Sequence, residues 1–218
     1  MIFPFLASFI VLCVLFNISS RRVSRKSEQR EEDFWKKELE SNSVRKKSLD
    51  TLEYIHLPVD LLPFDTAEDD EYLQGCEAEV LALKDEKIVN LTGISNTDLK
   101  LEYGTANITV LSQYDQNYTA LVCGLQKWGQ ALYDRGRYED AAKVLEFAAK
   151  TRSDITATYR TLADLYRTKL GYNEEEIKKK IDGLIPIAKN LNALSKSTIL
   201  KVLDPEGTAT AATAEENQ

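Results

Sequence analysis

The side chains best suited to chemistry are few and scattered along this 218-residue chain. His56 is the only histidine, and it stands close to Pro58 with no cluster of Cys, Asp or Glu around it, which fits a structural or surface imidazole better than a general base. Asp65, Glu68, Asp69 and Asp70 could gather a cation. Their spacing lacks the alternating Asp-x-Asp-x-Asp-Gly loop of a calcium site, and acidic residues massed at the positive end of a helix dipole account for them more simply. No HExxH, P-loop, GxGxxG, GxSxG or CxxC occurs. The expectation is a protein without catalytic activity, without a cofactor or metal, and with no evident small-molecule substrate.

The three cysteines are Cys13, Cys76 and Cys123. So sparse and odd a number fits a reducing compartment, where Cys76 and Cys123 remain thiols; a single disulfide between them is the alternative. Four Asn-x-Ser/Thr sequons begin at Asn17, Asn90, Asn107 and Asn117. They would matter only on a lumenal face, and Asn and Thr are also what turns and helix caps use.

Met1 to Phe16 is almost unbroken hydrocarbon, and the run MIFPFLASFIVLCVLFNISS carries no charge. Arg21, Arg22, Arg25 and Lys26 follow at once. About 18 to 20 helical residues just span a ~30 Å hydrocarbon core, so residues 1–20 are expected to form a transmembrane helix. A cleaved signal peptide would carry its positive charge before the apolar core and a small-x-small site after it. Here the positives come afterwards, and Asn17 or Ile18 would fall at the −3 position. A lipoprotein at Cys13 would want a small residue where Leu12 stands. The uncleaved anchor is favoured. Positive residues stay cytoplasmic, which puts the N-terminus outside and the bulk of the chain in the cytoplasm.

Charge is uneven. Residues 21–47 hold ten Lys or Arg against six Asp or Glu, a net +4 in a chain of −7, so the remainder carries −11. A basic stretch beside a bilayer meets anionic headgroups, and it also simply satisfies the positive-inside rule. The acidic remainder has no basic face for phosphates, which excludes nucleic acid as a partner.

The elements can be read from composition. Residues 21–48 form a charged juxtamembrane stalk, helical over 24–41, with Phe34, Trp35 and Leu39 as one small apolar spot. Leu49 to Phe64, with Pro58 and Pro63, is an extended strap, because proline pushes the residue before it out of the helical region. A helix runs from the acidic cluster through Leu73, Cys76 and Val80 to about Lys84. Residues 90–104 are turn-rich around one short helix. From Tyr114 four helices follow, broken at Gly136 and Gly171, with Pro186 expected to kink or split the fourth; a last short helix covers 196–202. Residues 204–218 are too poor in large apolar side chains to fold. The expectation is an all-α chain with one helical domain over 49–203 and a disordered tail.

Within that domain Gly124 to Asp154 resembles a tetratricopeptide repeat, whose period is 34 residues. Leu125, Trp128, Gly129 and Leu132 fit its first helix, Gly136 its turn, and Tyr138, Ala141, Leu145 and Ala148 its second. The phrase Tyr133-Asp-Arg-Gly-Arg-Tyr-Glu-Asp-Ala is close to the usual turn, while Ser153 replaces the usual terminal proline. One period later Tyr159, Leu162, Ala163 and Tyr166 fit again, but the turn is one residue longer and Glu175 sits where a small residue is expected. The segments NLTGISNTDLKLEYG and SQYDQNYTALV also resemble a set of functionally uncharacterised bacterial single-pass membrane proteins with a repeat-like helical domain, a likeness that implies architecture rather than activity.

The repeat resemblance implies a concave, partner-binding face. Carried over position by position it holds Gln126, Lys127, Gln130, Tyr133 and Asp134, joined by Arg160, Asp164 and Arg167 from the next helix. Polar side chains with an aromatic among them suit an extended or helical peptide. Equally, Asp164 at helical spacing from Arg160 and Arg167 could make an ordinary solvated face. The expected function is a membrane-tethered, tetratricopeptide-like adaptor or scaffold in the cytoplasm, binding an unknown protein or peptide. The alternative is an envelope or lumenal binding protein anchored in the opposite sense.

Overall fold

Helix takes up most of the chain, and its breaks fall at proline or at residues that favour turns. The computed structural model describes residues 3–65, 70–205 and 207, without the side chains of residues 3–8, 10, 11, 13 and 14. Among the described residues there are eight α-helices and no strand: α1 (Phe3–Ser43), α2 (Glu71–Leu81), α3 (Asn96–Tyr103), α4 (Ile108–Asp134), α5 (Tyr138–Lys150), α6 (Thr156–Asp164), α7 (Glu174–Lys189) and α8 (Lys196–Leu203). The fold is all-α. The tail over 208–218 and the acidic residues Glu68 and Asp69 lie outside the described residues.

Two compact units divide the chain. The first comprises Met1–Leu49 and Ser95–Ile108. Helix α1 runs for 41 residues, about 60 Å at roughly 1.5 Å per residue, so residues 3–20 of the expected anchor and 21–43 of the expected stalk form one uninterrupted helix that ends before the stalk does. Among the described residues no helix is long and apolar enough to cross a membrane, and most side chains of the run Met1 to Phe16 lie outside those described. The charged end of α1 is clasped by α3. Lys37 pairs with Asp98 at 2.6 Å, and Glu38 accepts from Thr97 Oγ1 at 2.7 Å and from the Lys100 ammonium. Gly104 then takes a left-handed φ of +86°, with the Arg45 carbonyl 2.2 Å from where a Cβ would stand. Only glycine fits that crossing. Asn107, fully buried, donates to the carbonyls of Lys47 (2.8 Å) and Tyr103 (2.7 Å) and closes the unit.

The second unit, Asp50–Ile94 and Thr109–Gln218, holds the large hydrophobic core. Its spine is α4, which begins six residues before the Tyr114 expected from the apolar pattern, after a short 3-10 turn over Thr105–Asn107. Two glycines set how closely α4 is approached. A Cβ on Gly129 would lie 2.4 Å from Leu145 Cδ2 of α5, and one on Gly124 would lie 3.0 Å from Val80 Cγ2 of α2. Trp128, fully buried, is covered by Phe64 of the strap, ring centroids 4.7 Å apart. The strap is extended only over residues 53–58 and turns after Pro58, where the Leu61 amide donates to the Pro58 carbonyl at 3.0 Å. Leu57 and Leu62 are buried in the core, and among the described residues its only ladder pairing is the isolated bridge Tyr54–Val89.

Two departures from regular geometry have local causes. Helix α6 passes into a π turn over Leu165–Lys169, with the Leu170 amide donating to the Leu165 carbonyl at 3.0 Å. The residue by which the second turn is longer than the first, bringing the break to Gly171, is taken up as this widened turn. Helix α7 runs through Pro186 instead of splitting. Asp182 and Pro186 are both exposed, so water can satisfy the carbonyl that loses its partner. A full capping box at its start, between Asn173 and Glu176, holds the helix from the other end.

Candidate functional site

Most of the residues expected to form a concave peptide face are engaged within the fold. On α4, Gln126 accepts from Thr158 Oγ1 of α6 at 2.7 Å, and Gln130 accepts from Thr161 Oγ1 at 3.2 Å while donating to Asp134 at 2.8 Å. Tyr133 donates to Asp164 at 2.5 Å, and that bond with burial and the carboxylate charge pushes its phenol up to about 12. Three side chains of α4 therefore face three of α6 and satisfy them. Lys127 faces elsewhere, paired with Glu79 of α2 at 2.6 Å and lying over the Tyr72 ring. Arg167 donates to the carbonyls of Val202 (3.4 Å) and Leu203 (2.8 Å), where it caps the C-terminal end of α8. Arg160 is exposed. Neither arginine is ion-paired to Asp164 among the described residues, so the expected Arg–Asp–Arg bridge does not form.

A different concavity exists in the same unit, bounded by the strap, α5 and α7, with a volume of about 1030 Å³. Its floor is apolar: Leu62, Leu184 and Tyr166 are buried there, and Phe147 and Ile187 are half-buried. Leu61, 74 % exposed, stands at its lip on the strap beside His56. The helical spacing of the lining residues explains why one face of each helix is offered. Lys143, Glu146, Phe147 and Lys150 recur at three- and four-residue steps on α5, as do Lys179, Lys180, Gly183, Leu184 and Ile187 on α7.

One wall of this cleft carries a polar triad in which Tyr166 is buried while the Glu146 and Lys180 side chains are 38 % and 41 % exposed. Tyr166 Oη donates to Glu146 at 2.7 Å, and Lys180 Nζ donates to the same carboxylate at 2.8 Å while lying 5.5 Å above the Tyr166 ring. Burial, then the Glu146 charge, holds the Tyr166 hydroxyl far above the usual phenol range. The hydrogen bond to Glu146 raises Lys180 against the opposing effect of burial. This triad fixes the wall between α5 and α7. At the rim, Lys143 pairs with Asp140 at 3.2 Å, whereas Lys150 and Lys179 have no carboxylate within ion-pair distance among the described residues. The cleft was missed in the sequence because the strap that forms one side of it lies some ninety residues before α5 and carries no motif.

The other residues singled out for chemistry have structural positions. Asp70 is the N-cap of α2, accepting from the Leu73 amide at 3.0 Å, and it is gripped by both Nε and Nη2 of Arg135, which holds its carboxyl below the usual range. Cys76 is a buried thiol, pushed up by burial, and Cys123 is an exposed one; neither is in a disulfide. Among the described residues no group of three or more His, Cys, Asp or Glu is placed to hold a metal ion. Asn117 is buried and donates to the Lys87 carbonyl at 3.0 Å, and Asn90 donates to the Thr151 carbonyl at 3.3 Å. With Asn107, these sequon asparagines are tied into the fold.

Comparison with family models, curated proteins and solved structures finds no match to this chain.

Proposed function

We propose that this chain is a membrane-tethered adaptor with a tetratricopeptide-like helical domain that binds a segment of another protein. The observation that carries the reading is the open, apolar-floored cleft of about 1030 Å³ between the strap, α5 and α7. Concave sites of this size lined by apolar side chains with a few polar groups are where ligands bind. The repeat-like part is supported by the close approach of α4 and α5 at Gly129 and by the direct pairing of α4 with α6. The tether is supported by the uncharged run that opens the sequence and by the exposure of Phe9, Leu12, Leu15 and Phe16 on α1. Arg21, Arg22, Arg25 and Lys26 favour the cytoplasmic side for the remainder of the chain. The sequons at Asn90, Asn107 and Asn117 give the opposite topology no support, since their amides already serve the fold.

Two measurements test this. The full chain in phosphatidylcholine nanodiscs, panned against a display library of random short peptides, should enrich a recurring motif; no enrichment over empty nanodiscs rejects the adaptor. Cys123, the exposed thiol, reports the sense of the tether. A membrane-impermeant maleimide should label it only after cells are permeabilised. Labelling in intact cells would reverse the topology.

A further inference from the structure

We infer that the cleft between the strap, α5 and α7 is the docking site for an acidic segment of a partner protein that inserts a bulky apolar side chain. This rests on the adaptor reading and adds to it the place and the chemistry of the partner.

Charge complementarity points to the partner. The chain is −7 overall, yet four lysines, Lys143, Lys150, Lys179 and Lys180, stand around this one cleft against Glu146 and Glu176. Glu146 is neutralised by Lys180 and also accepts from Tyr166. Glu176 accepts from the Asn173 amide in the capping box of α7 and keeps its charge, so the lysines outnumber the carboxylates two to one around the cleft. Lys150 and Lys179 are left facing the opening with no carboxylate of their own among the described residues. Two exposed ammonium groups flanking an apolar floor select an anion that also carries hydrocarbon.

Gly183 shares its open position inside a helix with Gly75 but, unlike Gly75, lines the cleft, where it leaves room for close approach. It sits in the interior of α7 and lines the cleft, and a Cβ there would meet nothing within 4 Å. A mid-helix glycine weakens a helix relative to alanine, and among the described residues nothing packs against it here. Bare backbone next to Leu184 lets an incoming leucine or aromatic ring lie directly against the helix. Gly129 is the contrast: Leu145 already fills the space above it. The exposed Leu61 on the strap supplies the opposite jaw, covered only when something enters.

The test uses the full chain in phosphatidylcholine nanodiscs and the peptides enriched from the random library, re-made with a fluorophore for anisotropy. Asp and Glu should surround a Leu, Phe or Trp in the motif. Lys150→Glu with Lys179→Glu should weaken binding by about tenfold or more, and added salt should weaken it in the same direction. Gly183→Leu should keep the fold and abolish binding by occupying the floor, while Gly75→Ala, at an open helix position away from the cleft, should leave binding unchanged. A motif without acidic residues, or binding indifferent to Gly183→Leu, overturns the inference. If that same binding is lost with Arg160→Glu, the site lies on the α4–α6 face and the adaptor reading stands without this cleft. Preferential binding to vesicles containing phosphatidylserine, lost in the lysine double variant while no peptide competes, would assign the cleft to an anionic membrane surface and overturn the inference as well.

Discussion

The Tyr133 hydroxyl of α4 donates to the Asp164 carboxylate of α6 over 2.5 Å, with the Lys169 ammonium 5.9 Å above the same ring. That bond joins the first helices of two successive hairpins, and it lies where a ligand-binding tyrosine was expected. Tyr133→Phe should cost about 0.5–1.5 kcal/mol, the net worth of one hydrogen bond. Asp164 keeps Thr168 Oγ1 at 3.0 Å, so its carboxylate is not left bare. Chemical denaturation of the full chain in detergent micelles checks this.

Alkaline pH should loosen the second unit. Burial lifts the phenols of Tyr118, Tyr159 and Tyr166 far above their ordinary range, and the Asp164 bond lifts Tyr133 from 10.0 to about 12. The fold holds all four in the protonated form. A group whose folded pKa is raised contributes stability that is fully present below its unfolded value and is lost as pH climbs through the folded one. The melting midpoint should therefore be flat up to pH 10.0 and fall from there through about 12, the span given by Tyr133. Ultraviolet titration should show Tyr118, Tyr159 and Tyr166 ionising only with unfolding, and Tyr133 near 12. Ordinary titration of all ten tyrosines would count against the buried positions.

Trp128→Ala should destabilise the second unit by about 3–5 kcal/mol, the usual range for removing a large aromatic from a core. Its ring is fully buried under Phe64, and its Nε1 is buried with no hydrogen-bond partner among the described residues. Trp128→Phe removes that unsatisfied donor and should cost clearly less. Equal losses for the two variants would mean that the indole nitrogen is bonded, for example to a trapped water.

Glycine substitutions should split in sign. Gly129→Ala drives a methyl into Leu145 and should cost about 1–3 kcal/mol, as overpacking does. Gly75→Ala in α2 meets nothing within 4 Å and should stabilise by about 0.5–1 kcal/mol through helix propensity. Two melting curves decide it.

Acid should release α3 from α1. Glu38 is held below its ordinary value first by the Lys100 hydrogen bond, and Asp98 first by that from Lys37. A carboxyl with a depressed folded pKa contributes stability that is present above its unfolded value and is lost as pH falls through the folded one. Hydrogen exchange in α3 should speed up, relative to α5, as pH drops through 3.8 and below. Lys100→Ala should produce the same loosening at neutral pH.

The sequence by itself determined the helical character of this chain, most breaks between helices and the composition of the core. Those depend on local physics: apolar period, proline, and glycines such as Gly136 and Gly171, both of which take positive φ at helix ends. Trp128, Tyr159 and Leu162 could be assigned to the interior because one helix face repeated them at three- and four-residue steps. Tertiary structure alone decided where polar side chains went. Glu38 meets Lys100 across 62 positions, Gln126 meets Thr158 across 32, and Arg167 reaches the last carbonyls of α8. Nothing local marks such pairs, since a charged residue on a helix looks the same in sequence whether water or a distant helix receives it. The cleft was hidden for the same reason: it exists only where a motif-free strap passes beside the lysine-bearing faces of α5 and α7, and a concavity belongs to the arrangement of three segments rather than to any one of them.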